Sequence, residues 1–130
     1  MAIVNSVKTL FPGFGNATEY LSSVGVTLTT NSTVTTALTG FVNYVRSGKW
    51  RFKTTANPAS SQITGVQVTG TDGTSTVSLY QDGTARTAAQ LLDIEHDFIS
   101  ELNLTTISFL VTLANAGTAP TGDFEVAGNP

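Results

Sequence analysis

The sequence lacks cysteine, contains a single histidine at His96, and has charged side chains at only 12% of its 130 positions. Without thiols it can form neither a disulfide framework nor a thiolate site, and one imidazole leaves few ligands for a transition metal. No uncharged hydrophobic run approaches the ~18 residues of a transmembrane helix, and residues 1–8 lack the basic and apolar regions of a secretory signal. We therefore expect no metal, no cofactor, no membrane partner and no export signal.

Threonine is abundant instead, at roughly one residue in six, and valine- and threonine-rich stretches alternate with Gly, Asn-Pro and Asp-Gly breaks. Period-two alternation between such breaks is typical of half-buried strands, and the length suits one domain. The pattern predicts an all-β fold, a jelly-roll-like antiparallel β-sandwich formed by a single domain over residues 16–130. The predicted strands are 24–29, 33–39, 41–45, 49–55, 63–68, 77–80 and 107–113, with a short edge strand at 123–126.

Residues 1–15 are predicted to form an extended N-terminal arm. The end of this arm contains one proline and two glycines, which prevent a regular element, while Phe11 and Phe14 favour burial and would anchor it. An asparagine followed three residues later by a glutamate forms a helix-capping pattern directly after the arm. One short helix is therefore predicted over residues 17–23.

Residues 88–102 allow two interpretations. As a helix, the segment would begin with a capping box and turn Leu91, Ile94, Phe98 and Leu102 inward. As a strand, it would alternate apolar and acidic side chains along its length, and this clean alternation favours the strand. The alternating sets are Leu92, Ile94, His96 and Phe98 on one face and Asp93, Glu95 and Asp97 on the other.

Asp93, Glu95, His96 and Asp97 form the only cluster of functional side chains in the sequence. On a strand the three carboxylates share one face, and like charges at that spacing suit a solvated or cation-contacting surface better than an acid–base pair. His96 would then point to the opposite, apolar face as a packing residue. The sequence has neither a Gly-x-Ser-x-Gly motif nor a phosphate-binding glycine loop. We therefore expect no catalytic residues, no metal ligands and no enzymatic activity.

Four basic residues lie close together in the sequence, and on a strand the last three share a face opposite Trp50 and Phe52. Nucleic acid is not an expected partner, because the net charge is −3 and affinity for nucleic acid scales with the number of phosphates neutralised. The basic stripe is instead predicted to pair with the acidic segment, either across neighbouring strands or between subunits of a homo-oligomer. The predicted protein-interaction residues are Phe11, Phe14, Arg46, Lys49, Arg51, Lys53, Asp93, Glu95 and Asp97.

The aromatic residues offer a further alternative, a sugar-stacking platform of the kind found in carbohydrate-binding modules. Trp50 is its strongest candidate, and Tyr20, Tyr44 and Tyr80 could contribute to it. Aromatic residues of sandwiches are more often buried than exposed as platforms. A glycan-binding role therefore depends on exposure of Trp50 together with the tyrosines.

The chain as a whole resembles small virion structural proteins of tailed bacteriophages, especially head decoration or cement proteins. The resemblance is carried by the start at Met1 without a signal, the absence of cysteine, the Thr/Ser/Ala/Gly-rich β pattern, the arm over 2–14 and the C-terminal residues 114–130. It implies a homo-oligomer, such as a trimer, of sandwich or jelly-roll domains that binds the major capsid protein or other virion proteins. It also implies a location in the virion after synthesis in the host cytoplasm.

Two other virion proteins are compatible with the length of the chain. A receptor- or glycan-binding β-module of a phage tail or fibre is the alternative function. The small β-rich coat proteins of single-stranded RNA phages are similar in length, but they hold an RNA genome and need a basic surface that this acidic chain lacks.

Overall fold

The computed structural model describes residues 2–3, 17–56, 62–85, 92–114 and 118–130. Within these ranges the chain forms strands and no helix, which confirms the all-β prediction. No helix long and apolar enough to cross a membrane occurs in the described part of the chain. The strands are β1 (Ala2–Ile3), β2 (Glu19–Thr27), β3 (Thr33–Thr39), β4 (Val45–Ala56), β5 (Gln62–Thr71), β6 (Thr76–Asp82), β7 (Asp93–Leu104), β8 (Thr106–Ala114) and β9 (Thr121–Asn129).

The strands form two antiparallel sheets that share one core. Sheet A has the order β1-β2-β9-β4-β7, with the two-residue β1 at its edge, and sheet B has the order β3-β8-β5-β6. From β2 to β9 the chain crosses from one sheet to the other at every connection except the β5–β6 hairpin. This alternation, with four strands packed on four, is the jelly-roll arrangement of a β-sandwich. The predicted fold class is therefore confirmed.

Aromatic side chains join the two sheets at the centre of the core. Phe52 and Phe124 of sheet A stack with ring centroids 4.9 Å apart, and Phe109 of sheet B lies 4.9 Å from Phe124 and 5.9 Å from Trp50. All four side chains are fully buried. Because burial of a large apolar side chain stabilises the fold by roughly 1.5–3 kcal/mol, Trp50 and Phe52 determine which face of β4 turns inward.

Residues 17–23, predicted as a helix, form a loop end and the first half of β2. The glutamate that suggested a helix cap is Glu19, which is only 2% exposed. Its carboxylate accepts hydrogen bonds from the backbone N–H groups of Val42 and Asn43, at 2.8 and 3.2 Å. Glu19 therefore satisfies the donors of a distant loop, and the helix prediction is wrong because this long-range bond replaces the local one.

The predicted strand 24–29 is the second half of β2, and its alternation is broken. A bulge lies between Ser23 and Val26, where Gly25 adopts a φ of 69°. Glycine adopts this left-handed conformation without steric cost. Val24 is consequently 71% exposed, although the alternation placed it on the inner face.

The predicted break at residues 47–48 lies inside β4. A Cβ atom on Gly48 would collide with the backbone oxygen of Ala127 and lie 2.7 Å from the Cα of Gly128, both on the neighbouring strand β9. Glycine at this position permits the close approach of two strands and does not turn the chain. The predicted strand 41–45 is correspondingly a loop up to residue 44, and only Val45 belongs to β4.

The C-terminal strand is longer and more central than predicted. Residues 123–126 were expected at an edge, but β9 lies between β2 and β4 and pairs with both. Phe124 and Val126 of this strand are both fully buried. β7 confirms the strand interpretation of the described part of 88–102, and β8, which lies in the interior of sheet B, confirms the predicted strand 107–113.

The predicted arm falls largely outside the described residues. Within it, β1 pairs Ala2 with Leu21 and Ile3 with Tyr20 at the edge of sheet A. Phe11 and Phe14 also lie outside the described residues. The division into an arm and a domain therefore stays a prediction.

Candidate functional site

The outer face of sheet A has a row of polar contacts that crosses four strands. Arg51 of β4 donates two hydrogen bonds to the carboxylate of Asp93 on β7, each at 3.0 Å. On the other side its guanidinium lies 4.0 Å from the carboxylate of Glu125 on β9, which accepts a 2.6 Å hydrogen bond from the Tyr20 hydroxyl on β2. We call these four residues the sheet A row.

The contacts of the sheet A row shift the pKa values of Asp93 and Tyr20. The hydrogen bond from Arg51 lowers the pKa of the Asp93 carboxyl below its usual value, and this outweighs the opposing effect of desolvation. Burial, followed by the hydrogen bond to Glu125, raises the pKa of the Tyr20 hydroxyl. Near neutral pH Asp93 is therefore charged and Tyr20 is a neutral donor.

The rest of the basic stripe also pairs with the acidic segment. The Nζ atom of Lys49 lies 4.0 Å from a Glu95 oxygen and 3.8 Å from an Asp97 oxygen, and Lys53 lies opposite Asp93 in register. The predicted pairing thus occurs across the neighbouring strands β4 and β7 of one chain. The role of these residues in protein interaction stays a prediction.

Arg46 is separate from this stripe. Its Nη2 atom donates a 3.2 Å hydrogen bond to the carbonyl oxygen of Glu101, near the end of the sandwich where β7 turns into β8. The structure therefore brings together Lys49, Arg51, Lys53 and the three predicted acidic residues, but not Arg46.

His96 packs where the edge strands β6 and β7 come together. It lies opposite Trp50 in register, with ring centroids 5.5 Å apart, and stacks on Tyr80 at 4.8 Å. It therefore lies on the Trp50 side of β7, as the alternation indicated, but it is exposed at the open edge of the sandwich and does not belong to the buried core. Among the described residues, no group of three or more His, Cys, Asp and Glu side chains could hold a metal ion.

The aromatic platform considered from the sequence does not form. Trp50 is completely buried and Tyr20 is 7% exposed. Tyr80 meets the Trp50 ring edge-on at 5.0 Å and belongs to the same packed cluster. Tyr44 lies in the loop before β4. The alternative interpretation, a glycan site centred on an exposed Trp50, is therefore wrong.

The outer face of sheet B differs from that of sheet A because it contains almost no charge. Every charged residue in the described strands belongs to sheet A, except Asp82 at the end of β6. We call the outward side chains of sheet B the threonine face. Across the three strands β3, β8 and β5, its central positions in register are Thr35, Leu110 and Gln67, followed by Ala37, Ser108 and Thr69.

Hydroxyl groups of the threonine face bond to one another. The Oγ1 atoms of Thr33 and Thr112 are 2.8 Å apart, and Thr106 donates to Thr39 at 3.0 Å. An open groove of about 410 Å³ lies on this face, between β5 and the end of β6. The threonine face was not among the predicted contact residues, and its signal in the sequence is the absence of charge in residues 33–39, 62–71 and 106–114.

No protein-family model matches the chain, and no curated protein sequence matches it. Among solved structures, the chain is similar to one from the infectious bursal disease virus Gx strain, with 16% identity and a TM-score of 0.45 over 83% of this chain and 31% of that chain. The VP2 subviral particle of the same virus gives 16% identity and a TM-score of 0.36 over 85% of this chain and 30% of that chain.

A second kind of protein shows a comparable likeness. The CBM22-1–GH10 modules of Clostridium thermocellum xylanase 10B, complexed with xylohexaose, give 9% identity and a TM-score of 0.43 over 84% of this chain and 28% of that chain. This chain spans less than a third of the length of each of these three proteins. They show a distant likeness of fold, and the jelly-roll assignment itself rests on the strand order.

Proposed function

We propose that this chain is a structural protein of a virion, a capsid decoration or cement protein that binds and stabilises a phage shell as a homo-oligomer. The observation that supports this proposal is the uncharged threonine face across sheet B. Its partners are a second copy of the chain and the major capsid protein or other virion proteins, without nucleic acid or membrane. The proposal includes no catalytic role.

The composition of the threonine face suits a protein contact. Solvent-facing surfaces of small domains usually mix charges of both signs, whereas the centres of protein interfaces are depleted of charge. Hydroxyl pairs such as Thr33 with Thr112 retain a hydrogen bond when water is removed. The charges of the sheet A row already pair with one another, and the side chains of Arg51 and Glu125 are only 23% and 16% exposed. Covering the exposed carboxylate of Asp93 would desolvate a charge, which is costly. Sheet B therefore offers the proposed contact face.

The size of the threonine face favours several weak contacts over one strong contact. Four strands about 4.8 Å apart and seven residues long at the edges present a face of roughly 19 by 23 Å. This area, on the order of 400 Å², is smaller than the ~800 Å² that each partner of a stable complex usually buries. A homo-oligomer that engages several shell subunits at once amplifies such contacts, and binding only to the assembled shell stabilises it by mass action.

The test measures the mass of the purified protein by light scattering and its co-sedimentation with undecorated phage shells. We expect a discrete oligomer that sediments with the shells. Ser108→Lys places a charge at the centre of the threonine face and should weaken shell binding at least ~10-fold, since a buried unpaired charge costs several kcal/mol. Thr27→Lys, on the exposed end of β2, is the matched control and should bind like the wild type.

Two outcomes contradict the proposal. Shell binding by Ser108→Lys that equals that of the wild type would exclude the threonine face as the contact. A monomer that does not sediment with the shells would favour the alternative, a receptor- or glycan-binding module of a tail or fibre. Thermal unfolding of both lysine variants verifies that each is folded.

A further inference from the structure

A wide, open cavity of about 580 Å³ lies on the surface at one end of the sandwich, where three connections meet. Its walls come from the loop before β4, from the β5–β6 turn, and from the end of β7 with the turn to β8. Binding sites for small molecules usually measure roughly 300–1,000 Å³. The cavity is distinct from the threonine face and from the sheet A row.

The backbone around this cavity is held in place by buried and long-range bonds. Glu19, almost completely buried, fixes the loop before β4 through the N–H groups of Val42 and Asn43. The N–H of Thr105 donates to the carbonyl oxygen of Thr71 at 2.8 Å, which ties the β7–β8 turn to the β5–β6 turn. The three connections therefore form one preorganised frame.

Two charged side chains belong to this frame. The Asp72 carboxylate accepts the N–H groups of Thr74 and Ser75 at 2.9 and 2.7 Å, and these bonds lower the pKa of Asp72. Arg46 bonds to the carbonyl oxygen of Glu101. Both side chains shape the walls while they hold the backbone.

Other polar groups at the cavity are uncommitted. In the described part of the chain, the side chains of Asn43, Tyr44, Glu101 and Asn103 have no hydrogen-bond partner, although all four line the cavity. Two amides supply donors and acceptors, a carboxylate supplies acceptors, and the tyrosine adds an apolar ring with a hydroxyl. Asn43, Glu101 and Asn103 are exposed to solvent and Tyr44 is half-buried. A rigid frame that presents polar groups free to bind a ligand, beside an aromatic ring, matches a ligand with many hydroxyl groups and an apolar face.

We propose that this cavity binds a saccharide, either a neutral sugar or the end of a neutral glycan chain. A divalent cation fits less well, because Arg46 lines the cavity and Asp72 is bonded to its own turn. An anionic ligand would meet the carboxylates of Glu101 and Asp72. The inference goes beyond shell decoration and does not depend on it.

The experiment is an amide NMR titration of the full chain with methyl glycosides of glucose, galactose, N-acetylglucosamine and N-acetylgalactosamine. Concentrations extend to about 50 mM, since ligands with few contacts bind in the millimolar range. We expect at least one glycoside to shift resonances of residues 43–46 and 101–105. Tyr44→Leu should weaken binding about tenfold through loss of ring stacking, and Asn103→Ala, an exposed change, should weaken it as well.

Gln81→Ala, in the groove of the threonine face, is the matched control and should leave the affinity unchanged. The proposal is overturned if no glycoside shifts the loop-end resonances, if the shifts fall on residues 64–67 and 81–83, or if Tyr44→Leu and Asn103→Ala bind like the wild type. Co-sedimentation of Tyr44→Leu with shells is measured separately. Loss of sugar binding with retained shell binding shows that the two functions are independent.

Discussion

The two sheets of this sandwich satisfy their outward polar groups in different ways. On sheet A, Arg51 links Asp93 to Glu125 in a row of charged contacts, and its side chain and that of Glu125 are only 23% and 16% exposed. On sheet B, threonine hydroxyls such as those of Thr33 and Thr112 bond to each other without any charge. Charged groups resist burial far more than paired hydroxyls do. The charged groups of sheet A are thus satisfied within the chain, and the uncharged face of sheet B is the one that we propose as the contact side.

This difference changes where contacts are expected. From the sequence, the basic stripe was predicted to pair with the acidic segment, either across neighbouring strands or between subunits, and both were predicted as protein-interaction residues. The register of β4 with β7 places Lys49 opposite Asp97, Arg51 opposite Glu95 and Lys53 opposite Asp93. The charges thus neutralise each other across strands. A contact surface is better inferred from groups whose burial costs little.

The largest expected difference between the sheets concerns two glycines. Gly48→Ala in sheet A should lower the free energy of unfolding by roughly 3 kcal/mol or more, because its Cβ would meet backbone atoms of Ala127 and Gly128, which cannot move aside. Gly65→Ala in sheet B should leave the free energy of unfolding unchanged or raise it by up to about 1 kcal/mol, because the nearest neighbours of the added Cβ lie at 3.7 Å and beyond. Urea unfolding followed by circular dichroism compares the two variants.

Equal destabilisation by both alanines would contradict the glycine comparison. It would mean that β4 and β9 approach each other no more closely than β5 and its neighbours do. The denaturant slope serves as the control, since an unchanged slope shows that the exposed area on unfolding is the same.

A second comparison concerns one side chain on each outer face. Arg51→Met removes the basic member of the sheet A row and should lower the free energy of unfolding by about 1–2 kcal/mol, since its hydrogen bonds involve charged groups but are partly exposed. Gln67→Met, at the centre of the threonine face, should change it by less than ~0.5 kcal/mol. A similar loss in both variants would show that the row contributes no special stability.

The pH dependence of the Arg51 contribution has a definite sign. The hydrogen bond from Arg51 lowers the pKa of folded Asp93 below its usual value of 3.8. The stabilisation of the fold by this ion pair is therefore fully present above pH 3.8 and is lost as the pH falls through the folded pKa. The gap in unfolding free energy between the wild type and Arg51→Met at pH 7 should therefore shrink at pH 2. A constant gap would assign the effect of Arg51 to packing instead of charge.

Local patterns in the sequence predicted the features that depend on neighbouring residues. Alternation of Trp50 and Phe52 with basic residues predicted the inner face of β4, and the Asp-Gly break at residues 72–73 separated the predicted strands 63–68 and 77–80, which correspond to β5 and β6. Both depend on side-chain direction or turn chemistry within a few residues. The same kind of pattern supported the strand interpretation of β7.

Features that depend on distant parts of the chain were not predictable in this way. Glu19 bonds to residues 42–43 in place of a helix end, and Gly48 is explained only by its contact with β9. The central position of β9 depends on pairing with β2, more than 90 residues earlier. The threonine face and the cavity at the end of the sandwich likewise form from separate strands and loops, so no local motif predicts them.

The smallest expected difference concerns one hydroxyl on each outer face. Tyr20→Phe removes a short hydrogen bond to the charged Glu125 from a buried ring and should lower the free energy of unfolding by about 1 kcal/mol. Thr33→Val removes a bond between exposed hydroxyls and should change it by less than ~0.5 kcal/mol, because water replaces the lost partner of Thr112 and valine favours a strand. Thermal unfolding of both variants measures the difference. A larger loss from Thr33→Val would mean that the threonine face stabilises the isolated domain, and its lack of charge would then need no partner to explain it.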